Sequence, residues 1–333
     1  MVADPVLVSG HGDGTVRIWR SRTGEPLREL DCVSGTPWSL AVARTRTRRL
    51  VAAGGNEGFV QVWDADTGRT VHHLYVEGGR VAVAMGGPPE RVLIAAGALR
   101  EGAGSVRLWD AQSGKALRRL PVRGRTNGLG FGAGVNALAL GGGDGRYFLA
   151  AAVEDGTVRI WPTHGGGWRQ RTRSGRRYGG HRRMAWSVAV GRAGERLLVV
   201  SGGSEGRVIV RPADGRGRTY QRDEITDWAR CVDIARVGSR DLIAVARDHH
   251  DPGIPDVFSS ISVVDAASGE SCYALFPSAP RGVNVVRFGA YHGREAVLAG
   301  CADGTILAWD ALTQEPMPPL EVGDDLVSTL AFG

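Results

Sequence analysis

Short runs of alternating apolar and polar residues, separated by glycine turns, recur along the whole chain. The segment Asp13–Trp19 reads Asp-Gly-Thr-Val-Arg-Ile-Trp, and it returns letter for letter at Asp155–Trp161 and nearly so at Asp303–Trp309. An Asp-Gly pair between apolar runs is a strong hairpin signal, because glycine takes a positive φ without steric cost. After the turn, Val16 and Ile18 recur with a period of two, which is the period of a β-strand. The pattern predicts β-hairpins throughout.

A second turn follows these hairpins, and it begins with aspartate and ends with glycine, as in Asp64–Gly68, Asp110–Gly114 and Asp265–Gly269. The leading carboxylate of such a turn can accept backbone N–H bonds. The strands and turns together form one β-meander that is copied along the chain. Aligned on the residue that ends the third strand, the unit occurs seven times, at Trp19, Trp63, Trp109, Trp161, Arg211, Val264 and Trp309.

This unit resembles the WD40 repeat family. The resemblance rests on Val62-Trp63-Asp64, Leu108-Trp109-Asp110 and Ala308-Trp309-Asp310, and the repeats cover almost the whole chain. It implies an all-β fold, a seven-bladed β-propeller of four-stranded antiparallel blades around a central channel. It says little about function, because such propellers serve many functions.

We expect one WD40-type domain, 1–333, closed by its own C-terminal strand. The chain opens with the pattern of a second strand, whereas residues 326–332 have the pattern of a first strand, so this strand should join the N-terminal three. Blade 1 is then 326–332 plus 6–30, and the other blades are about 37–74, 80–120, 134–172, 184–222, 228–276 and 282–320.

The resemblance also implies structural roles for the repeated aspartates and tryptophans. In the family, a His, a Ser or Thr, an Asp and the Trp of one blade often form a buried hydrogen-bond set. Ser9 and Ser201 match the hydroxyl, and only Gly180-His181 matches the histidine, so no complete set is expected. A serine hydrolase built from such residues is disfavoured, since no nucleophile elbow is present. The structural repeat residues are Asp13, Trp19, Trp63, Asp64, Trp109, Asp110, Asp155, Trp161, Asp303, Trp309 and Asp310.

Charge is concentrated in one stretch. The net charge is +6, with 41 basic and 35 acidic residues, and Lys115 is the only lysine, a bias that suggests a GC-rich, bacterial genome. No carboxylate lies between Asp155 and Glu195. Three interpretations remain open for this stretch: a solvated loop, a site for an acidic protein partner, and a nucleic-acid contact. The arginines clustered within it are Arg169, Arg171, Arg173, Arg176, Arg177, Arg182 and Arg183.

Aromatic residues stand at the entrances of several first strands. Trp38 and Trp186 precede the equivalent residues Ser39 and Ser187, and Trp228 lies near Arg230 in the same register. In the family, the loops that enter first strands lie on the face commonly used for partners, where exposed Trp and Arg act as anchors. Packing between blades is the alternative. The partner-binding candidates are Trp38, Arg173, Arg176, Arg177, Arg182, Arg183, Trp186, Trp228 and Arg230.

Other chemistry is weakly indicated. The insertion Arg247–Ser259 contains Asp248-His249-His250-Asp251 and Asp256, which are metal-capable residues, but no ligand spacing is repeated elsewhere, so no metal and no cofactor are predicted. The four cysteines lack C-x-x-C spacing, which favours a reducing, cytoplasmic location. No signal peptide and no membrane-spanning run is visible.

We therefore expect a monomeric, non-catalytic scaffold that binds a protein partner, with an acidic partner favoured and nucleic acid disfavoured. It could be the targeting or regulatory domain of a larger multidomain protein. The alternative is an enzyme or ligand sensor with a small-molecule site at the mouth of the central channel.

Overall fold

The computed structural model describes residues 4–98, 104–123, 132–143, 145–163, 175–215, 220–222, 227–249, 258–277 and 282–333. In this part of the chain the strands form seven four-stranded antiparallel sheets, which we call blades 1 to 7. Blade 1 contains β28 (Val327–Phe332), β1 (Val6–His11), β2 (Thr15–Arg20) and β3 (Pro26–Asp31). Blade 2 contains β4 (Ser39–Arg44), β5 (Arg49–Gly54), β6 (Phe59–Asp64) and β7 (Thr70–Tyr75). Blade 3 contains β8 (Val81–Gly86), β9 (Leu93–Ala98), β10 (Gly104–Asp110) and β11 (Ala116–Val122).

The remaining blades follow the same order from the innermost to the outermost strand. Blades 4 and 5 contain β12 (Val135–Gly143), β13 (Arg146–Val153), β14 (Val158–Pro162) and β15 (Arg176–Tyr178), and β16 (Ala185–Ala193), β17 (Arg196–Gly203), β18 (Val208–Pro212) and β19 (Tyr220–Arg222). Blades 6 and 7 contain β20 (Asp227–Val237), β21 (Arg240–His249), β22 (Phe258–Asp265) and β23 (Ser271–Leu275), and β24 (Val283–Tyr291), β25 (Arg294–Cys301), β26 (Thr305–Asp310) and β27 (Pro316–Glu321).

The predicted closure is confirmed. Strand β28 pairs antiparallel with β1, with Ser9 opposite Leu330 and Leu7 opposite Phe332. Each innermost strand also contacts the innermost strand of the next blade, and β28 contacts both β24 and β4, so the seven blades form a ring. The all-β, seven-bladed propeller predicted from the repeats is therefore the observed fold.

The tryptophans that end the third strands hold neighbouring blades together. Trp63 packs in one core cluster with Val8 and Ile18 of blade 1, and Trp161 packs with Val106 and Leu108 of blade 3. Trp109 and Trp19 pack against their preceding blades in the same way. Burying an aromatic ring of this size is a large hydrophobic contribution. The repeat position of these rings therefore encodes contacts between blades.

A β-bulge near the start of the innermost strand recurs in five blades. The register shifts by one residue between Val135 and Ala137, between Ala185 and Ser187, and at equivalent points of three other blades. A bulge adds one unpaired residue and re-aims its side chain. The bulged residues are Asn136, Trp186, Arg230, Asn284 and Ser328. All five lie at the same end of the ring, which we call the mouth face.

At the opposite end the innermost strands pack closely through glycine. A Cβ atom added to Gly289 would lie 2.5 Å from the ring of Phe332, and one added to Gly191 would lie 2.6 Å from the side chain of Ile234. Gly86 has the same relation to Leu140 in the next blade, at 2.7 Å. Such close approach is possible only without a side chain.

Arginines of the third strand connect neighbouring blades, which the sequence did not reveal. The guanidinium groups of Arg17, Arg107 and Arg159 donate hydrogen bonds to backbone carbonyls of the preceding blade or of the segment that leaves it, namely those of Val322, Tyr75 and Arg123. The equivalent residue of blade 2 is Gln61, whose amide oxygen accepts a bond from the Val33 N–H. The repeated polar position of this strand therefore joins blades.

Candidate interaction site at the channel mouth

The bulged residues surround a cavity at the mouth of the channel. Its volume is about 560 Å³, and residues of all seven blades line it. The cavity is confined to the first part of each innermost strand, since its lining ends at residues such as Val83, Leu138 and Val232. It therefore occupies the half of the channel next to the mouth face. The lining side chains with polar, charged or aromatic groups include Trp38, Arg80, Asn136, Trp186, Ser187, Trp228, Arg230, Cys231, Asn284, Arg287 and Ser328.

Four residues singled out in the sequence meet in this cavity. Trp38, Trp186, Trp228 and Arg230 all line it, although they come from blades 2, 5 and 6. Trp228 is 46% exposed, whereas the repeat tryptophans of the blade cores are 7% exposed or less in blades 1 to 4. Trp228 thus differs from the tryptophans that pack between blades 1 to 4.

Arg80 is a member of this site that the sequence reading missed. Its guanidinium carbon lies 4.0 Å from the centre of the Trp38 ring, in a cation–π contact. The indole N–H of Trp38 donates to the side-chain oxygen of Asn56 at 2.9 Å, which fixes the ring. Partial burial and the positive charge of Arg230 lower the pKa of Arg80. Its position directly before β8, like that of Trp38 before β4, is the signal that could have identified it.

Arg230 is held in place by a chain of hydrogen bonds. Its guanidinium donates to Asp248 Oδ2 at 2.6 Å, and Ser259 Oγ donates to the other oxygen of that carboxylate at 2.9 Å. Ser259 in turn accepts the N–H of Val283 at 2.9 Å. Because 40% of the Arg230 side chain remains exposed, the group is oriented but still accessible.

Arg287 lies in the wall between blades 6 and 7. It donates to Cys231 Sγ at 3.0 Å and to the Val286 carbonyl at 2.8 Å. Burial would lower the pKa of Arg287, but the neighbouring Cys231 and Asp233 raise it above its ordinary value. Burial raises the pKa of the Asp233 carboxyl, which accepts the Phe288 N–H at 2.8 Å. Both bonds are made by Nη1 of Arg287.

The other bulged side chains tie adjacent blades together. The Asn136 amide donates to the Ala185 carbonyl at 2.9 Å, and the Asn284 amide donates to the Val327 carbonyl at 3.1 Å. Ser328 Oγ bonds to the carbonyls of Gly10 and Pro37. The bulge therefore supplies structural bonds at these positions, while it presents Trp186 and Arg230 at the cavity.

The described arginines of the arginine-rich stretch fall in two places, the outermost strand of blade 4 and the segment that enters β16. Arg182 and Arg183 are exposed in the segment that enters β16, on the mouth face near Trp186. Arg177 instead lies on the outermost strand and pairs with Asp155 at 3.3 Å, and Arg176 of the same strand bonds to the Asp214 carbonyl. Arg169, Arg171 and Arg173 lie outside the described residues.

The repeated aspartates bond within their turns. Asp13, Asp155 and Asp303 each accept the N–H and hydroxyl of a threonine two residues later. In the second turn, Asp64, Asp110 and Asp310 accept backbone N–H bonds from residues two or three positions on. Backbone bonds of this kind lower the pKa of Asp310. These residues stabilise hairpins.

A buried Ser–His–Glu chain does form in blade 5. His181 lies 2.9 Å from Ser201 Oγ through Nε2 and 2.9 Å from Glu205 Oε1 through Nδ1. Ser201 is 1% exposed. A catalytic nucleophile must contact its substrate, so this chain is interpreted as the blade's structural hydrogen-bond set, with Glu205 in the aspartate position. Arg211 replaces the tryptophan and bonds to the Gly179 carbonyl at 3.3 Å.

The described residues bear on two sequence expectations, metal binding and membrane insertion. Within the described residues, no group of three His, Cys, Asp or Glu side chains is placed to hold a metal ion. Asp248 of the insertion contacts Arg230, whereas His250, Asp251 and Asp256 lie outside the described residues. No helix in the described part of the chain is long and apolar enough to cross a membrane.

Comparison with known proteins supports the repeat assignment. The family model described as "WD40: WD domain, G-beta repeat" matches residues 129–162, and this confirms the WD40 resemblance for that repeat. No curated protein matches the sequence.

Solved structures share the fold at low identity. The computationally designed Ika8 protein is 22% identical, with a TM-score of 0.58 and coverage of 96% of this chain and 85% of that chain. The structure of the RRP9 WD40 repeats is 16% identical, with a TM-score of 0.65 and coverage of 89% of this chain and 83% of that chain. The structure of U3-55K is 16% identical, with a TM-score of 0.63 and coverage of 89% of this chain and 84% of that chain. At this identity the likeness concerns the fold alone.

Proposed function

Because the chain is a seven-bladed β-propeller that carries a WD40 repeat, we propose that it is a non-catalytic interaction module and that it binds a protein partner at its mouth face. The observation that supports this most directly is the convergence of Trp38, Trp186, Trp228 and Arg230 on one cavity. Tryptophan and arginine are the residues most enriched among the energetic anchors of protein interfaces.

The build of the mouth suits an interface. Trp38 is fixed by Asn56, and Arg230 is fixed by Asp248, so neither side chain has to be ordered when a partner arrives. Ordering a flexible side chain costs about 0.5–1.5 kcal/mol on binding, and a pre-oriented group avoids most of that cost.

The partner is proposed to be acidic in the region that faces blades 5 and 6. Arg182 and Arg183 are exposed beside Trp186, and no carboxylate lies between Asp155 and Glu195. Complementary charge of this kind raises association rates more than it raises affinity. We further propose a cytoplasmic location, since Cys32, Cys231, Cys272 and Cys301 are all unpaired. The protein is also proposed to be a monomer. A targeting or regulatory role within a larger protein fits the same face.

A site-specific photo-crosslinker tests the proposal. Benzoyl-phenylalanine placed at Trp228 should capture a partner in cells, and Trp186→Ala should reduce that capture. The matched control is the same probe at Leu312, which is 59% exposed in the turn between β26 and β27 on the opposite face. Equal capture of the same proteins from both positions would contradict a partner site at the mouth.

A small-molecule sensor is the second candidate. The cavity volume of about 560 Å³ is within the usual range for ligand sites. Ser187 lines this cavity, and its buried hydroxyl has no hydrogen-bond partner among the described residues. Thermal-shift screening of small carboxylic acids, with Ser187→Ala as the control, separates this candidate from a protein-binding module.

A further inference from the structure

The depth of the mouth cavity restricts how a partner can enter. The cavity ends partway along the innermost strands, and beyond it Leu140, Ile234 and Phe332 pack against glycines of neighbouring strands. Because the cavity extends over only the first part of each innermost strand, a chain end can occupy it with one crossing of the mouth, whereas an internal segment would have to cross the mouth twice.

The charge of the cavity indicates which end of a chain it would take. No carboxylate side chain is among the described residues that line it, whereas three arginines are. Arg230 is paired with Asp248, and Arg287 is bonded to Cys231 and Val286. Arg80 makes no hydrogen bond or ion pair with another described residue, so its N–H donors remain available while its face stacks on Trp38. A guanidinium with unused donors matches one carboxylate, and Arg80 is such a group.

The walls indicate the side chain that accompanies this carboxylate. Three indoles and the aliphatic residues Leu40, Val188 and Leu326 line the cavity. An apolar side chain would be removed from water against these surfaces, which is favourable in proportion to its buried area.

Phosphate and nucleic acid fit the mouth face less well. Asp13, Asp303 and Asp325 lie in the turns and loops of blades 1 and 7 on this same face, and Asp13 and Asp325 are exposed. Their negative charge opposes a polyphosphate backbone that would cross the face. A single carboxylate inside the cavity avoids them.

We propose that the mouth cavity binds the free carboxyl terminus of a protein partner whose last residue is apolar. The terminal carboxylate accepts hydrogen bonds from Arg80, with Arg230 nearby, and the last side chain packs among Trp38, Trp186 and Trp228. This inference rests on the proposed function and specifies its ligand.

A matched pair of peptides tests this proposal. The probe is the fluorescein-labelled hexapeptide Gly-Ser-Gly-Ser-Leu-Phe, with either a free carboxyl end or an amidated end, titrated with the full chain and followed by fluorescence anisotropy. The free acid should bind about tenfold more tightly than the amide, the effect expected for loss of a charge-assisted bond. Arg80→Gln should abolish this preference, and Arg80→Lys should keep part of it. Arg46→Gln, an exposed residue of the opposite face, should leave it unchanged.

Several outcomes would overturn the proposal. These are equal binding of the acid and the amide, tighter binding of an amidated peptide with an internal Asp, and displacement of the probe by inorganic phosphate or oligothymidine at lower concentration than by the unlabelled acid. Failure of all peptides while crosslinking at position 228 remains specific would overturn the terminal-carboxylate assignment and leave the proposed function standing. Loss of both peptide binding and specific crosslinking would contradict the terminal-carboxylate assignment and the proposed function together.

Discussion

His11 gives blade 1 a hydrogen-bond set that the repeat pattern did not anticipate. The Trp19 indole donates to Ser9 Oγ at 2.8 Å, and Ser9 Oγ lies 2.8 Å from His11 Nε2. The family places its histidine before the first strand, whereas His11 ends β1, directly before the Asp13 turn. Ser9 was recognised from its repeat position, but the replacement of one histidine position by another depends on side-chain geometry that sequence spacing does not express.

Acid should destabilise the protein through His11. Burial is the main cause that lowers its pKa from 6.5 to about 4, with Arg17 adding to the effect. A depressed folded-state pKa means that the unfolded chain takes up the proton first, so stability is present above pH 6.5 and is lost as the pH falls toward 4. The loss is on the order of 2 kcal/mol between pH 7 and 4.5. Urea unfolding of the wild type and of His11→Gln at several pH values measures it. A difference between the two proteins that does not change with pH would refute this role.

The Asp-Gly-Thr hairpin shows how identical sequence elements acquire different energetic weight. Asp13 and Asp155 make the same two bonds to a threonine. The Asp155 side chain is 1% exposed beside Arg159 and Arg177, whereas that of Asp13 is 27% exposed. The turn itself could be predicted from the repeated seven-residue segment, but its burial depends on the neighbouring blade.

Neutralising the two aspartates should separate these contributions. Asp155→Asn should cost on the order of 3 kcal/mol, because it leaves the buried Arg159 without its carboxylate. Asp13→Asn should cost about 1 kcal/mol, since its ion pair with Arg17 is partly solvated. Free energies of unfolding from urea titration decide the point, and equal losses would show that the turn bonds alone matter.

The glycines of the innermost strands have an equally local test. Gly289→Ala places a Cβ atom 2.5 Å from the Phe332 ring, so the closing strand must shift, at a cost of about 2 kcal/mol. Gly179→Ala is the control, because a Cβ atom there has no neighbour within 4 Å. Melting temperatures of the two variants should differ clearly, and similar values would argue against tight packing at this end.

The bulges of these strands escaped prediction, since a bulge is defined by register with a partner strand.

At the scale of the whole molecule, the repeat count was sufficient to predict the architecture. Seven copies of one meander leave few alternatives, because each unit can bury its apolar face only against the next. The residues of the candidate site were predicted less completely. The shared position at the starts of first strands pointed to Trp38, Trp186, Trp228 and Arg230, which line the mouth cavity, but Arg80 was missed. The arginine stretch was not resolved into separate groups.

Closure of the ring should be essential to stability. Deleting residues 326–333 removes β28 and exposes the edge of β1, where unpaired backbone groups promote aggregation. Leu330→Asp should act similarly, because Leu330 is fully buried and an unpaired charge there is costly. Light scattering and melting curves measure both effects. A monomeric truncated chain with an unchanged melting temperature would contradict the structural role of β28.

The pairing of β1 with β28 also has a consequence for biosynthesis. Ser328 and Gly10, which bond across this seam, are 318 residues apart in the chain. At a translation rate of about 5–20 residues per second, β28 is synthesised on the order of tens of seconds after β1. The nascent chain therefore carries an open apolar edge while the intervening residues are synthesised, and it should depend on ribosome-associated chaperones to reach the ring in good yield.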